Sequence, residues 1–474
     1  MVNAELEAVL ELLEGSVSYT EDGGVEIRNE EQAREHIHRL VEISALGKGA
    51  EQAWSRYLTR LIALELGAPP ASIHELYMAR GRGEVPPVFT VPAMNLRSLT
   101  FDAARAIFRE AIKRDAGAFI FEIARSEMGY TEQRPAEYAT CILGAAVAES
   151  YRGPVFIQGD HFQASASRYV KDPDQELAAL RALTEEAIQA GFYNIDVDTS
   201  TLVDLSQQGE PAQQKHNAEL SAMLTAFIRS VEPEGVTVSV GGEIGEVGGR
   251  NSTEPELRAY VDGYKQALDA RDPNTEGLSK ISIQTGTSHG GVVLPDGSVA
   301  KVNVDFDTML ALSRVAREEY GFAGAVQHGA STLPEEAFGK FVEAEACEVH
   351  LATNFQNMLY ARLPDKLLGD IYTYLDKEAG SSRKEDQTDE QFYYENRKRA
   401  LGPFKGQLWG MAEADKAKIV GALERQFGQL FDLLEIAGTK KYVEEYVTAT
   451  KVLPQKAFYF GEEAEQEEVA DLAD

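Results

Sequence analysis

Three histidines each follow a short apolar stretch that is typical of a β-strand. They are His161 at the end of VFIQGDH, His289 at the end of ISIQTGTSH and His328 at the end of AVQH. The chain has only 8 histidines in 474 residues, so three at the ends of predicted strands indicate a shared task. In a barrel of parallel strands these ends meet at one mouth. Three imidazoles that converge there, with a fourth position open, would form a catalytic Zn²⁺ site.

Acidic residues also lie at the ends of predicted strands. Asp160 directly precedes His161, and Glu243 lies beside glycines in VGGEIGE. A carboxylate at such a place can be a fourth metal ligand or a general base. Each candidate also has a plainer interpretation, because an Asp at a strand end often caps the next helix and a His or Glu there can be an incidental loop residue. Asp196 and Asp198, which end another predicted strand, are interpreted as structural caps of this kind.

The elements that would position these residues are eight strand-like runs that alternate with helical segments. The runs cover 88–95, 118–124, 155–161, 194–199, 236–244, 280–286, 323–330 and 347–353. Eight such units predict an α/β fold, a (β/α)₈ TIM barrel. An open, doubly wound sheet is the competing architecture. The barrel is favoured because eight strands are present and no glycine-rich dinucleotide fingerprint opens the first strand–helix turn.

We predict four segments along the chain. A helical N-terminal extension covers 1–86, the catalytic barrel 87–365, a helical C-terminal extension 366–460 and an acidic tail 461–474. The run GRGEVPP ends the first helical region and is typical of a linker. The tail GEEAEQEEVADLAD contains acids and no base, which predicts a solvated, disordered segment.

Composition excludes several classes of partner. The net charge is −31, which repels phosphate backbones and argues against nucleic acid. A phosphorylated substrate would therefore need a local cationic pocket. The sequence contains no apolar run near the roughly 18 residues that a membrane helix needs. The acidic start MVNAELEAVLELLEG does not resemble a signal peptide, so we expect a cytoplasmic location and no membrane partner.

The motifs in their order resemble the class II, metal-dependent fructose-bisphosphate aldolase family, from residue 88 to about 400. Val91–Asn95 matches the family's first strand, Gly159–His161 its Asp-His pair and Gly242–Gly245 its Glu-Leu-Gly segment. Further along the chain, Thr287–Gly290 matches its second histidine motif, His328–Ser331 its His-Gly-Gly-Ser turn and Tyr393–Arg397 its Tyr-Tyr-Asp-Pro-Arg segment.

The resemblance implies a role for each matched residue. His161, His289 and His328 would bind a divalent metal, usually Zn²⁺, which Glu243 can join when substrate is absent. Asp160 would be the acid/base that handles the hydroxyl proton at the cleaved bond. The implied substrate-binding residues, several of them around phosphates, are Asn95, Gly290, Gly329, Ser331, Thr353 and Arg397.

The resemblance also has implications beyond the single site. The arginine matched by Arg397 sometimes acts across a subunit interface, so the resemblance implies a homodimer or a higher homo-oligomer. Some relatives bind a monovalent cation as well.

The residues favour metal chemistry independently of the resemblance. Cleavage of a carbon–carbon bond beside a ketone leaves negative charge that needs a Lewis acid or an imine. The imine route requires a lysine at a strand end, and none of the eight predicted ends holds one. Lys280 lies at the opposite end of its strand.

Departures from the family pattern fall on substrate-contacting positions. Asn251 stands where the family has a second acid, His350 where it has an asparagine, and Val292 and Val293 where a lysine is often found. The metal ligands are intact. The sequence therefore predicts a zinc-dependent aldolase that reversibly cleaves a phosphorylated ketose, foremost fructose 1,6-bisphosphate, to dihydroxyacetone phosphate and an aldehyde.

Two alternatives stay open. One is a metal-dependent aldolase or epimerase that acts on a different sugar. The other is a non-catalytic, aldolase-like subunit that uses the N-terminal extension as an interaction surface.

Overall fold

The computed structural model describes residues 4–245, 250–286, 294, 304–461 and 472. At its centre, parallel strands form a closed barrel. The strands are β1 (Val91–Asn95), β2 (Ile120–Ala124), β3 (Val155–Gln163), β4 (Asn194–Asp198), β5 (Ser239–Glu243), β6 (Lys280–Ile283), β7 (Ala325–Gln327) and β8 (Glu348–Leu351). Each strand pairs with the next, and β8 closes the barrel against β1, with Glu348 opposite Val91. The predicted (β/α)₈ barrel is confirmed.

The strand sequences explain why the barrel forms and why its centre is polar. In β2, Ile120, Phe121 and Ile123 are fully buried aliphatic or aromatic residues, whereas Glu122 is equally buried and polar. Side chains of neighbouring strand residues alternate between the helix-covered face and the barrel axis. The amide of Gln158 on β3 reaches Glu122 at 3.0 Å, so these polar side chains meet inside the barrel. A polar interior of this kind must be internally paired.

Helices surround the barrel. Those between Thr100 and Tyr360 are Thr100–Arg114, Arg125–Tyr130, Pro135–Ala148, Ala166–Lys171, Pro173–Ala190, Glu210–Val231, Glu254–Asp269, Phe306–Glu318, Phe338–Glu343 and Thr353–Tyr360, with short 3₁₀ turns at Ser200–Leu202 and Glu335–Ala337. Ordinary capping residues set several of their starts. Thr253 and Glu256, for example, form a reciprocal capping box at one of them.

The N-terminal region packs against the side of the barrel. It contains the helices Ala4–Glu11, Glu30–Leu46, Gly49–Glu65 and His74–Gly81 and a hairpin of Val17–Tyr19 with Val25–Ile27. Gly144 on a barrel helix faces Val41 so closely that an added Cβ would lie 2.3 Å from the valine Cγ2. The predicted helical extension is therefore present, and its exact boundary at residue 86 stays a prediction.

The C-terminal region is also helical. Its helices are Asp365–Ala379, Asp389–Asn396, Lys405–Trp409, Glu413–Leu433, Lys440–Tyr446 and Lys456–Tyr459, with 3₁₀ turns at Gly380–Ser382 and Arg397–Ala400. Ion pairs join the long helix to the first barrel helix, as between Arg109 and Glu424 at 2.6 Å. Most of the predicted acidic tail lies outside the described residues. None of the helices in the described ranges is long and apolar enough to cross a membrane.

Candidate active site

A backbone irregularity in β3 brings two adjacent side chains to the barrel mouth. The pairing of β3 with β4 shifts register between Gly159 and Phe162. His161 lies inside this bulge with a φ of 39°, in the left-handed region that side chains other than glycine rarely adopt. A Cβ at Gly159 would lie 2.4 Å from the Phe162 ring, so this position requires glycine. Because bulges re-aim side chains, Asp160 and His161 both face the mouth.

Four buried side chains converge at the mouth: Asp160, His161, Glu243 and His328. The Oε1 atom of Glu243 lies 3.0 Å from His328 Nε2 and 3.7 Å from His161 Nδ1. The Oδ1 atom of Asp160 lies 3.9 Å from His161 Nε2 and 3.9 Å from His328 Nδ1. The two imidazole centroids are 4.2 Å apart. The structure thus brings together residues that the sequence assigned to one site.

The donor set of this cluster fits a divalent metal. Imidazole nitrogen and carboxylate oxygen are ligands that Zn²⁺ prefers. One such atom from each of Asp160, His161 and His328 lies within 4.8 Å of the others. The Oε1 atom of Glu243 is buried and makes no hydrogen bond. Burial raises the pKa of Glu243 to about 8, although the charge of His161 opposes the shift. A cation would favour its ionised form. His289 and Gly290 lie outside the described residues.

Asp198 fixes the orientation of His161. Its Oδ2 atom lies 2.9 Å from His161 Nδ1, which directs Nε2 towards Asp160. Its Oδ1 atom accepts hydrogen bonds from the Ser200 amide at 3.0 Å and from the Ser200 hydroxyl at 2.6 Å. Burial would raise the pKa of Asp198, but the hydrogen bond from His161 lowers it, so it is a carboxylate. A carboxylate behind a metal-binding histidine sets its tautomer and strengthens it as a ligand. The hydrogen bonds with Ser200 are of the capping kind that the sequence suggested, whereas the contact with His161 was not predicted.

His350 lies directly beneath Asp160. Its Nδ1 atom is 3.1 Å from Asp160 Oδ1 and 3.0 Å from Glu122 Oε2, and its Nε2 atom is 2.6 Å from Glu348 Oε1. Burial would lower the pKa of His350, but Glu122 and Asp160 raise it well above its usual value. The ring is therefore an imidazolium that holds the Asp160 carboxylate from below. The sequence marked this position only as a departure from the family asparagine.

Below His350, Lys280 neutralises the acids of the barrel interior. Its Nζ atom lies 2.8 Å from Gln158 Oε1, 3.0 Å from Asp196 Oδ2 and 2.5 Å from Glu348 Oε1. Burial would lower the pKa of Lys280, but Asp196 and Glu348 raise it. An amine whose protonated form is favoured in this way is poorly suited to be an imine nucleophile. Asp196, which the sequence assigned to helix capping, instead belongs to this buried ionic layer.

Several predicted substrate residues line one small cavity with the cluster. Its described lining residues are Asn95, Arg97, Glu122, Glu127, Asp160, His161, His328, Gly329, Ser331, His350, Ala352 and Thr353. The Oδ1 atom of Asn95 is buried without a hydrogen bond. Asn95, Gly329, Ser331 and Thr353 thus lie where the sequence predicted, and their roles stay predictions.

Arg397 lies elsewhere. Its guanidinium donates to Asn357 Oδ1 and stacks 4.0 Å above the Tyr394 ring. Among the described residues, it lines neither this cavity nor its larger neighbour. The amide of Asn251 donates to Asp305 Oδ2 at 2.9 Å, and Asn251 is not among the described residues that line either cavity.

A larger cavity of about 410 Å³ opens on the other side of the cluster. Its described lining residues are His161, Gln163, Asp198, Ser200, Thr201, Val203, Leu205, Glu243, Gly245, Ser282, Ile283, Gln284 and His328. This volume is in the range of cavities that bind small molecules.

Comparison with known proteins agrees with this architecture. The family described as "Fructose-bisphosphate aldolase class-II" matches residues 87–403. A search of curated proteins finds no match.

Solved structures match at low sequence identity. A fructuronate-tagaturonate epimerase from Cohnella laeviribosi is 13% identical with a TM-score of 0.53, over 90% of this chain and 90% of that chain. A "probable tagatose 6 phosphate kinase" from Sinorhizobium meliloti is 14% identical with a TM-score of 0.52, over 74% of this chain and 100% of that chain. At such identities the likeness shows the fold alone.

Proposed function

Because the chain belongs to the class II fructose-bisphosphate aldolase family, we propose that it is a Zn²⁺-dependent aldolase. It would reversibly cleave fructose 1,6-bisphosphate, or a related ketose bisphosphate, to dihydroxyacetone phosphate and an aldehyde. The observation that carries the proposal is the convergence of Asp160, His161, Glu243 and His328 at the barrel mouth. His289 would complete the ligand set.

The chain's own residues suit this reaction. A bound divalent ion would supply Lewis-acid stabilisation for the charge that develops on the substrate ketone. His161, held by Asp198, and His328 would bind that ion. Asp160, held by His350 at 3.1 Å, would accept the hydroxyl proton as the carbon–carbon bond breaks and return it in the condensation direction.

The residues that follow the ends of β7 and β8 support phosphate binding. Ser331 Oγ accepts the Ala352 amide at 2.5 Å, just before the helix that begins at Thr353. Thr353 and Ser331 both line the cavity of the cluster. The N-terminus of a helix favours an anion because of its amide groups and its dipole.

The test is turnover by the purified, zinc-loaded chain with a panel of ketoses. We expect aldehyde and dihydroxyacetone phosphate from a ketose bisphosphate, loss of both on chelation, and recovery with Zn²⁺. Asp160→Asn should retain zinc and lose cleavage by at least about 100-fold, as expected for a lost proton carrier. Asp204→Asn, at a partly exposed aspartate that lines neither cavity, is the control. Retained cleavage in Asp160→Asn would contradict the proposed role.

A metal-dependent epimerase is the second candidate. The fold shared with the fructuronate-tagaturonate epimerase extends over 90% of this chain, so sugar acids belong in the panel. Epimerisation beside a ketone uses the same kind of metal-stabilised charge but leaves the carbon skeleton whole. A product with the same number of carbons as the substrate would favour this candidate over the aldolase. No turnover of any kind by the zinc-loaded chain would favour a non-catalytic subunit.

A further inference from the structure

Arg97 is a positively charged side chain in the lining of the smaller cavity at the candidate site. Among the described residues that line the two cavities beside the cluster, it is the only arginine or lysine. The acids of those linings include Asp160, Glu243 and Asp198. In a chain of net charge −31, an anionic substrate needs a local cation to bind at this mouth.

Glu127 holds Arg97 in a defined position. Arg97 Nε and Nη2 lie 2.9 and 2.7 Å from Glu127 Oε1. The other carboxylate oxygen of Glu127 accepts the Asn95 amide at 2.6 Å and the Ala124 backbone amide at 2.7 Å. The pair is buried, with side-chain exposures of 7% for Arg97 and 1% for Glu127. A buried carboxylate held by several donors is a rigid support for a guanidinium.

Arg97 keeps its positive charge although it is buried, and a second basic side chain, Lys398, lies near it. Burial would lower the pKa of Arg97, but Glu127 raises it, so the guanidinium stays protonated. Burial lowers the pKa of Lys398 to about 8, the charge of Arg97 lowers it as well, and Glu127 opposes the shift. Arg97 is thus a fixed positive charge among the acids that line this cavity.

We infer that Arg97, positioned by Glu127, binds the anionic group of the substrate and selects charged over neutral sugars. The inference rests on the proposed function and names a recognition residue for it. Arg397, which the family resemblance assigned to a phosphate, lines neither cavity among the described residues of a single chain, and its guanidinium donates to Asn357. The group recognised is an oxyanion, and a phosphate ester and a sugar carboxylate would both satisfy the planar guanidinium.

The kinetic test compares Arg97→Met and Arg97→Lys with the parent chain. For a ketose bisphosphate or a keto sugar acid, we expect Arg97→Met to raise KM by roughly 10- to 100-fold, as for a lost charge-assisted hydrogen bond. The KM for the corresponding neutral sugar should not change. Arg97→Lys should recover part of the loss. An equal change for charged and neutral substrates would overturn the inference.

Glu127→Gln tests the supporting role. We expect it to raise the KM for the charged substrate with little change in kcat, because Arg97 is mispositioned but present. Arg134→Met is the matched control, since Arg134 is 12% exposed, pairs with Glu186 and lines neither cavity in the described structure. The same KM increase in Arg134→Met would assign the effect to general loosening and contradict the inference.

A binding measurement separates this inference from the proposed function. Calorimetry of the zinc-loaded chain with inorganic phosphate, and separately with glucuronate, needs no turnover. We expect at least tenfold weaker binding of one of them in Arg97→Met, and the stronger parent ligand identifies the source of the oxyanion. If the parent catalyses nothing yet this loss appears, the proposed function fails and the inference stands. If neither affinity changes, the inference is wrong.

Discussion

At the barrel mouth, Asp160 and Glu243 face imidazoles across 3.0 to 3.9 Å, whereas one layer below, Asp196 and Glu348 contact the ammonium of Lys280 at 2.5 to 3.0 Å. Both layers are buried and acidic. The lower layer carries its own cation. The four described side chains that cluster at the mouth include no lysine or arginine and offer the donors of a metal site.

This difference indicates which buried charges serve stability and which serve function. A buried acid must be paired, protonated or bound to a metal. Glu348 is paired, because burial would raise its pKa but Lys280 and His350 lower it. Glu243 instead faces the imidazoles of His328 and His161 at 3.0 and 3.7 Å, and burial raises its pKa to about 8. A buried carboxyl group whose ionised form is disfavoured until a cation binds is expected at a functional site.

Removal of Lys280 should have the largest effect on stability. Lys280→Met leaves Asp196 and Glu348 buried without their cation, so we expect a loss of about 3 to 5 kcal/mol in the free energy of unfolding. Urea denaturation measures it. Lys366→Met is the control, because Lys366 is 88% exposed and its pair with Asp370 should contribute less than about 1 kcal/mol.

The cause of that loss can be checked by a second substitution. Glu348→Gln in the Lys280→Met background removes one of the uncompensated charges and should recover part of the stability. A double variant no more stable than Lys280→Met would show that packing, rather than charge, accounts for the effect.

Loss of Asp198 should instead act on the metal. Asp198→Asn removes the carboxylate that orients His161, and we expect Zn²⁺ affinity to fall by about 10- to 100-fold. Competition with a chelator measures the dissociation constant, with Asp204→Asn, at a partly exposed aspartate, as the control. Unchanged affinity in Asp198→Asn would mean that His161 is not a ligand held through its Nδ1 atom.

A smaller, graded effect is expected from pH. The pKa of Glu243 is about 8 without metal, so its proton must leave when a cation binds. Zn²⁺ affinity should fall as pH drops from 8 to 6, by up to about tenfold per unit for this proton. In Glu243→Gln the slope of log affinity against pH should decrease. An identical slope in both proteins would exclude Glu243 as the titrating group.

The sequence predicted the barrel and much of the mouth because both leave local signals. All eight strands were visible as apolar runs, since each is covered by helices, and His161, His328 and Glu243 follow such runs directly. The predicted strand 155–161 proved to extend to Gln163. Its bulge was not predictable in detail, because it depends on the contact of Gly159 with Phe162.

The buried ionic layer was not predicted, for a physical reason. Lys280, Asp196 and Glu348 belong to three different strands, and their contacts depend on barrel closure rather than on sequence spacing. Lys280 was read only as too far from the mouth for imine chemistry. Arg97 was likewise missed because its partner Glu127 lies beyond the next strand. For the buried ionic layer, the one signal available in the sequence was a polar residue inside an apolar run.

The barrel mouth should bind one divalent metal, and the buried layer of Lys280, Asp196 and Glu348 should bind none. Anomalous diffraction at the zinc edge, from crystals of the zinc-loaded chain, tests it most directly. We predict one zinc site about 2.0 to 2.1 Å from ring nitrogens of His161 and His328, with His289 as a further ligand. A zinc ion bound elsewhere, or a mouth in which these histidines have no metal at saturating zinc, would contradict the account.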